Sequence, residues 1–193
     1  MEHFHTIQGE GFYQGHSAYF IRLGGCDVGC VWCDVKDSWP IDAHPHISIE
    51  DLVQFVVKSG SKIAVITGGE PLMHQLDKLT SALQEKGIQT NIETSGAHPL
   101  SGHWDWICLS PKKFKAALTD SIQAANELKV VIFHPSDFQF AEEYASQVSK
   151  NCKLYLQPEW SKKDKSVPLI IDYIKQHPQW QLSLQVHKYI NIP

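Results

Sequence analysis

Residues 18–33 read AYFIRLGGCDVGCVWC. The first six, Ala18 to Leu23, are a short apolar run with β-branched and aromatic members, and Gly24-Gly25 ends it, which predicts a buried strand entering a loop. Cys26, Cys30 and Cys33 follow at once, three of the five cysteines of the chain. The other two, Cys108 and Cys152, lie in or beside apolar runs, where a reduced cysteine behaves as a small hydrophobe. The question is what a Gly-flanked loop needs three thiols for.

Outward from that stretch the chain alternates. SIEDLVQFVVKSG predicts a helix with Ser48 as N-cap, Asp51 three residues on and Gly60 as its stop. KIAVIT (Lys62 to Thr67) is a strand running into Gly68-Gly69, and Leu72, Leu76, Leu79 and Leu83 recur at helical spacing up to Gly87. Further strands are predicted at 90–93, 106–109, 129–133, 153–156 and 181–186, and helices at 120–128, 138–149 and 167–177. Such alternation implies a mostly parallel sheet with helices outside it. Six or seven strands are too few for a closed (β/α)₈ barrel. The expected fold is therefore α/β, a partial, open TIM-like barrel in one domain spanning residues 1–193, without repeats or linkers.

Composition narrows the function classes. With 193 residues, 42% hydrophobic and 20% charged, the chain can bury one good core. A formal charge of −4 and a pI near 6.2 argue against a nucleic-acid or anionic-membrane surface, which needs clustered Lys and Arg. The one basic run, SKKDK (Ser161 to Lys165), reads as a solvated loop. No apolar run nears the ~20 residues that cross a bilayer, and MEHFHTIQGEG lacks the charged start and apolar centre of a signal peptide. The expected compartment is the cytosol, where clustered cysteines bind metal more often than they form disulfides.

In parallel α/β folds the chemistry gathers at the C-terminal ends of the strands. GGCDVGCVWC, TGGEP, ETSG, SPK and QPEW each follow a predicted strand, so five unusual loops share one rim. For the cysteines two readings compete. One is a closed zinc site completed by a fourth ligand such as a histidine; the other is a [4Fe-4S] cluster on three thiolates with one iron left open. The Cys-x₃-Cys-x₂-Cys spacing supplies no second zinc knuckle and favours the cluster.

Trp32 before the last cysteine, and GGEP (Gly68 to Pro71) after the next strand, resemble the radical S-adenosylmethionine (SAM) superfamily. More narrowly, TIQGEG, FIRLGGC, CVWCD, ITGGEP, IETSG, SPK, LQP and the final HKYINIP resemble, in order from residue 6 to residue 193, the 7-carboxy-7-deazaguanine synthases. The resemblance implies a carbon–nitrogen lyase that contracts the ring of 6-carboxy-5,6,7,8-tetrahydropterin to 7-carboxy-7-deazaguanine with loss of ammonia, on the route to queuosine and other 7-deazapurines. SAM on the open iron would be cleaved by one electron, a 5′-deoxyadenosyl radical would take hydrogen from C6 of the substrate, and SAM would be regenerated. A flavodoxin-like electron donor and a homodimer are implied with it. Another radical SAM activity, such as a glycyl-radical activating enzyme, is the alternative among enzymes, and a zinc-stabilised binding module the alternative outside them.

The same resemblance assigns the rim. Gly68, Gly69 and Glu70 would wall the amino-acid part of SAM, where a Cβ would block close approach. Ser110, Pro111 and Lys112, with Gln157, Pro158, Glu159 and Trp160, match segments that hold the rest of it. Ile7, Gln8 and Gly9 match the pterin-contacting segment, Arg22 and Thr67 match further substrate positions, and Pro193 is placed at the substrate, where its α-carboxylate would meet pterin N–H groups. Glu10 is a second candidate for those groups, and His187 is either a substrate donor or a strand-end histidine. Arg22 is informative by itself: a guanidinium inside an apolar strand is costly unless paired, and its fork fits a carboxylate. Its partner is either the substrate's carboxylate or an internal acid such as Glu10 or Glu93. One position departs from the family pattern, in which a threonine after Cys-Asp commonly binds Mg²⁺. Here Val35 follows Asp34, and valine offers no side-chain oxygen. Mg²⁺ is then held by Asp34, main-chain carbonyls, substrate and water, or is needed less.

Overall fold

The computed structural model describes residues 1–193. Eight strands form one sheet in chain order: β1 (Glu2–Ile7), β2 (Ser17–Leu23), β3 (Ile63–Gly68), β4 (Gln89–Thr94), β5 (Trp106–Leu109), β6 (Glu127–Ile132), β7 (Lys153–Pro158) and β8 (Trp180–Leu182). All neighbours pair in parallel except β1, which runs antiparallel to β2 with Glu2 opposite Arg22 and Ile7 opposite Ser17. β8 does not pair with β1, so the barrel is open, as expected. Six α-helices complete the fold: α1 (Ile49–Ser59), α2 (Asp77–Gln84), α3 (Thr119–Ala124), α4 (Asp137–Ala145), α5 (Lys163–Gln176) and α6 (Val186–Ile190).

Period-two alternation sorts each strand into two faces. Tyr19 and Ile21, Ala64 and Ile66, and Ile92 meet the leucines of α2 and the valines of α1 in one buried cluster. Leu109, Leu128, Val130, Ile132 and Leu156 meet α3, α4 and α5 in a second. Side chains such as Leu83, Ile92 and Leu156 are wholly buried there, and each such burial stabilises the fold by roughly 1.5–3 kcal/mol. The alternate residues point to the inner face, which is apolar at Ala18, Ile63 and Val65 and carries Arg22, Thr67, Glu93, Lys129 and Gln157 toward its rim.

α1 follows its signals: Ser48 Oγ accepts the Asp51 N–H at 3.0 Å, and Gly60 closes the helix at φ +77°. Other expectations are corrected. β1 was not anticipated, because His3 and His5 dilute its apolar alternation. The leucine-spaced helix is broken: Pro71–Met73 is a 3₁₀ turn and α2 begins at Asp77. α3 stops at Ala124, short of Leu128, because Leu128 is drawn into β6 opposite Leu109. Lys163 to Lys165 of the basic run open α5 rather than a loop. Residues 181–186 do not form one strand; β8 ends at Leu182 and His187 lies on α6, so it is not a strand-end histidine.

Candidate active site

At the C-terminal ends of the strands the inner face opens into one cavity of about 430 Å³, within the range that small-molecule sites occupy. Every candidate residue named from the sequence lines it except Pro111, which is buried beneath its wall.

One side is the cysteine loop. Gly25 takes φ +103° to start it, and it is clamped from below by the GGEP segment, where Glu70 N–H donates to Gly25 O at 2.8 Å. A Cβ on Gly69 would stand 2.3 Å from Gly25 O and 2.7 Å from Cys26 Cβ, so only glycine permits this packing. Cys26, Cys30 and Cys33 face the cavity together, with Val28 and Ala97 packed behind. Burial pushes the Cys26 thiol up and the Cys30 thiol to about 11. Such thiols become thiolates when a cation binds them. Three thiols on one loop, lining one cavity, are the donor set that a [4Fe-4S] cluster with one open iron takes. Outside the loop, Asp27 pins it to two others, through His98 Nε2 at 2.9 Å and Lys115 Nζ at 2.7 Å.

The neighbouring loops are cross-braced. Glu70, 1% exposed, accepts Leu72 N–H at 3.1 Å, Thr94 Oγ–H at 2.5 Å, Ser95 N–H at 2.9 Å and the Ser95 hydroxyl. Its carboxylate thus joins GGEP to ETSG and has no capacity left for a ligand. Glu159 accepts Ser161 N–H at 3.1 Å on one oxygen and Ser161 Oγ–H at 2.6 Å on the other. Lys112 Nζ donates to Ser110 O at 2.5 Å and Oγ at 2.6 Å and lies 5.7 Å from the Trp32 ring centre. Burial, with Lys129 in support, lowers its pKa.

The floor is a charge network that the sequence reading missed in part. Lys129 Nζ pairs with Glu10 at 2.5 Å and Glu93 at 2.8 Å. Gln157 Nε2 and Gln185 Nε2 also donate to Glu10, at 3.2 and 2.9 Å, and Gln8 Nε2 donates to Glu93 at 3.2 Å. Burial opposes charge on Glu10, but Lys129 and Gln185 outweigh it and hold the carboxyl well below its usual range. Lys129, despite burial, is held charged by the carboxylates of Glu10 and Glu93 around it. Both acids offered as partners for Arg22 are thus committed elsewhere. Arg22 Nε instead stands 2.7 Å from Glu2, without the N–H alignment of a hydrogen bond, so its fork keeps capacity for a ligand carboxylate.

The two diagnostic motifs at the chain's ends interlock over this floor. Val186 N–H donates to Gly9 O at 3.0 Å, and a Cβ on Gly9 would fall 2.4 Å from His187 Nδ1. Gly11, at φ +63°, faces Glu127 Oε1, where a Cβ would come to 1.9 Å. His187 is half-buried, and that burial lowers its pKa against the pull of Glu10. Lys188, also unanticipated, donates to Asp34 Oδ2 and to Gln185 Oε1. Lys129 could have been found by the argument applied to Arg22, since ELKVVI puts a cation at an inward position between Leu128 and Val130. Gln185 and Lys188 carried no such signal, because the carboxylates they meet, Glu10 and Asp34, lie more than 150 residues away.

Residues 20–134 match the Radical SAM superfamily. Over its whole length the chain is 53% identical to the 7-carboxy-7-deazaguanine synthase of Flavobacterium psychrophilum, covering 91% of that protein. It is 49% identical to the enzyme of the same name from Synechocystis sp., over 99% of this chain and 91% of the relative. Among solved structures it resembles that of QueE from Escherichia coli, with a TM-score of 0.85 and 35% identity over 96% of this chain and 92% of the other.

Proposed function

The chain belongs to the radical SAM superfamily and, within it, to the 7-carboxy-7-deazaguanine synthases, and from that premise we propose how its single cavity performs the family's reaction. That reaction is the ring contraction of 6-carboxy-5,6,7,8-tetrahydropterin to 7-carboxy-7-deazaguanine with release of ammonia, in 7-deazapurine biosynthesis. When bound, the [4Fe-4S] cluster on Cys26, Cys30 and Cys33 and the SAM beside it supply one-electron, radical chemistry. The protein's own part is to position and to hold protons.

Gly68 and Gly69, which pack against Leu23, Gly25 and Cys26, set the wall beside the methionine portion of SAM, while Ser110, Lys112 and the Gln157–Trp160 loop bound the remainder. The pterin lies over the opposite floor. Ile7, Gln8 and Gly9 contact its edge, and Thr67, His187 and Pro193 complete the wall. Arg22, with unspent donors, faces its carboxylate. Glu10, held ionised by Lys129 and Gln185, is available to accept pterin N–H groups at neutral pH, with Glu93 beside it on the same lysine. The single observation that carries this reading is geometric: the three thiols and the Glu10–Lys129–Glu93 network line one cavity.

A flavodoxin-like donor supplies the electron, the enzyme works in the cytosol, and it assembles as a homodimer; these parts rest on the family alone. No helix is long and apolar enough to cross a membrane.

Anaerobic turnover of the reconstituted protein with synthetic substrate, SAM and dithionite tests the reading. Brown protein with ~4 iron and sulfide per chain and a product of the mass of 7-carboxy-7-deazaguanine are expected. SAM cleavage without that product would point to another radical SAM reaction, and colourless protein with one zinc would reject the cluster.

A further inference from the structure

The residues after the last cysteine do not suit the Mg²⁺ ion that the family pattern implies. Val35 has no side-chain oxygen, and its carbonyl oxygen already accepts the Ser38 N–H at 3.0 Å and the Ser38 hydroxyl at 2.6 Å. Asp34, the one carboxylate there, accepts a hydrogen bond from Lys188 Nζ at 2.5 Å. Mg²⁺ requires a near-octahedral set of oxygens, and here one oxygen is absent, one is used twice and one is already paired with a cation.

Lys188 has the opposite properties. Its ammonium is fixed by Asp34 and by Gln185 Oε1 at 3.0 Å, and it lies 5.2 Å from the Trp160 ring centre. Gln185 is itself held by Glu10 at 2.9 Å, so the lysine is anchored to the cavity floor. An ammonium has three N–H donors. Two are spent on Asp34 and Gln185, and the third belongs to a side chain that lines the cavity, as Asp34 and Val35 do.

We propose that Lys188 is the cation at this wall, and that its remaining N–H takes the carboxylate of the pterin in place of a divalent ion, so that this chain binds its substrate without Mg²⁺. The proposal rests on the substrate class assigned above, and it makes Lys188 a residue that selects for the carboxylated pterin.

The test measures binding and reads no turnover. Oxidised pterin-6-carboxylate, which cannot react, and pterin itself are titrated by their fluorescence against cluster-loaded, SAM-bound protein, in EDTA and in excess Mg²⁺. The native affinity for pterin-6-carboxylate is expected to be the same in both. Lys188→Met is expected to lose on the order of ten- to a hundredfold in that affinity, the scale of one charge-assisted hydrogen bond, while binding plain pterin as native does. Lys188→Arg is expected to keep part of the preference. Plain pterin is the control for folding, since a collapsed α6 would weaken both ligands. A tenfold gain of native affinity with Mg²⁺, equal losses for both ligands in Lys188→Met and Lys188→Arg, or no native binding of the carboxylated ligand would each overturn the proposal. Native protein that binds through Lys188 yet makes no deazaguanine would sink the reaction assignment and leave this inference standing.

Discussion

Replacing Lys129 with methionine removes a cation but little volume. The side chain is 4% exposed and lies between carboxylates that are 16% and 20% exposed. Removing one member of a buried ion pair costs about 3–5 kcal/mol, because the remaining charge is left without compensation. Glu10 keeps donors from Gln157 and Gln185, Glu93 keeps one from Gln8, and both retain some water contact. The lower end, ~3 kcal/mol, is therefore expected. For a chain of this length that is a fall in Tm of roughly 6–12 °C, at ~2–4 °C per kcal/mol. Differential scanning calorimetry of native and Lys129→Met protein at pH 7 measures it. Two further observations separate charge from packing. The deficit should shrink at pH 5, where the stranded carboxyls can protonate, and the triple variant Glu10→Gln, Glu93→Gln, Lys129→Met should recover most of the loss. A Lys129→Met protein that melts with the native one, or a triple variant no better than the single, would refute the reasoning that this network is a mutually compensated charge cluster.

Alanine at any one of Cys26, Cys30 or Cys33 is expected to abolish both brown colour and SAM cleavage, whereas Cys108→Ala and Cys152→Ala keep both; anaerobic iron and sulfide analysis checks this. Gly9→Ala must displace His187 to fit, and a misplaced wall of that kind is expected to lower kcat/KM by roughly ten- to a hundredfold while the far-UV spectrum is unchanged. Gly11→Ala strains a left-handed position and meets Glu127, so chemical denaturation should show a loss of about 1–3 kcal/mol. Glu10 has a folded pKa below its unfolded one, so its contribution is present above about pH 4.5 and fades as pH falls toward 2; Tm should be flat in Glu10 through neutrality, and Glu10→Gln should remove part of the acid-side fall.

The legible part of the fold was local. Val, Ile and Leu in period two, Ser48 before a helix and Gly60 after it are decided by neighbours within a few residues, and the structure places those elements where the pattern put them. The cysteine loop was legible for the same reason, since three thiols within eight positions after a strand share one loop. What failed was set by distant partners. Leu128 leaves a helical pattern because Leu109 across the sheet offers it a ladder, and β1 exists because Ser17 to Arg22 present an edge to pair with. Glu70 and Glu159 look like ligand contacts in sequence, as polar residues in rim loops do. That Glu70 is saturated by Leu72, Thr94 and Ser95, and that each Glu159 oxygen accepts from Ser161, appears only once the loops are folded. Arg22 shows the limit from the other side: its need for a partner could be read, but the exclusion of Glu10 and Glu93 depended on finding Lys129 between them.

The open edge of the barrel explains why residues 8–11 and 185–188 carry so much of the site. Between β8 and β1 there is no ladder, and the seam is bridged by a few separate bonds: Gly11 N–H to Ser183 Oγ at 3.0 Å, Val186 N–H to Gly9 O at 3.0 Å, and Gln185 Nε2 to Glu10 at 2.9 Å. Ser183 passes the connection inward by donating to Gln157 Oε1 at 2.8 Å. Contacts between the two ends of a chain close the longest loop it has, and their gain must offset the largest closure entropy. Three isolated hydrogen bonds, each worth about 0.5–1.5 kcal/mol net, span this seam, whereas neighbouring strands elsewhere in the sheet are joined by ladders. A ligand that touches Gln8 and Gly9 on one side and His187 on the other binds only the closed arrangement, and so stabilises it by mass action. The same glycines that let the two segments approach then couple pterin binding to closure of the seam: enlarging Gly9 displaces His187 from the wall and weakens both.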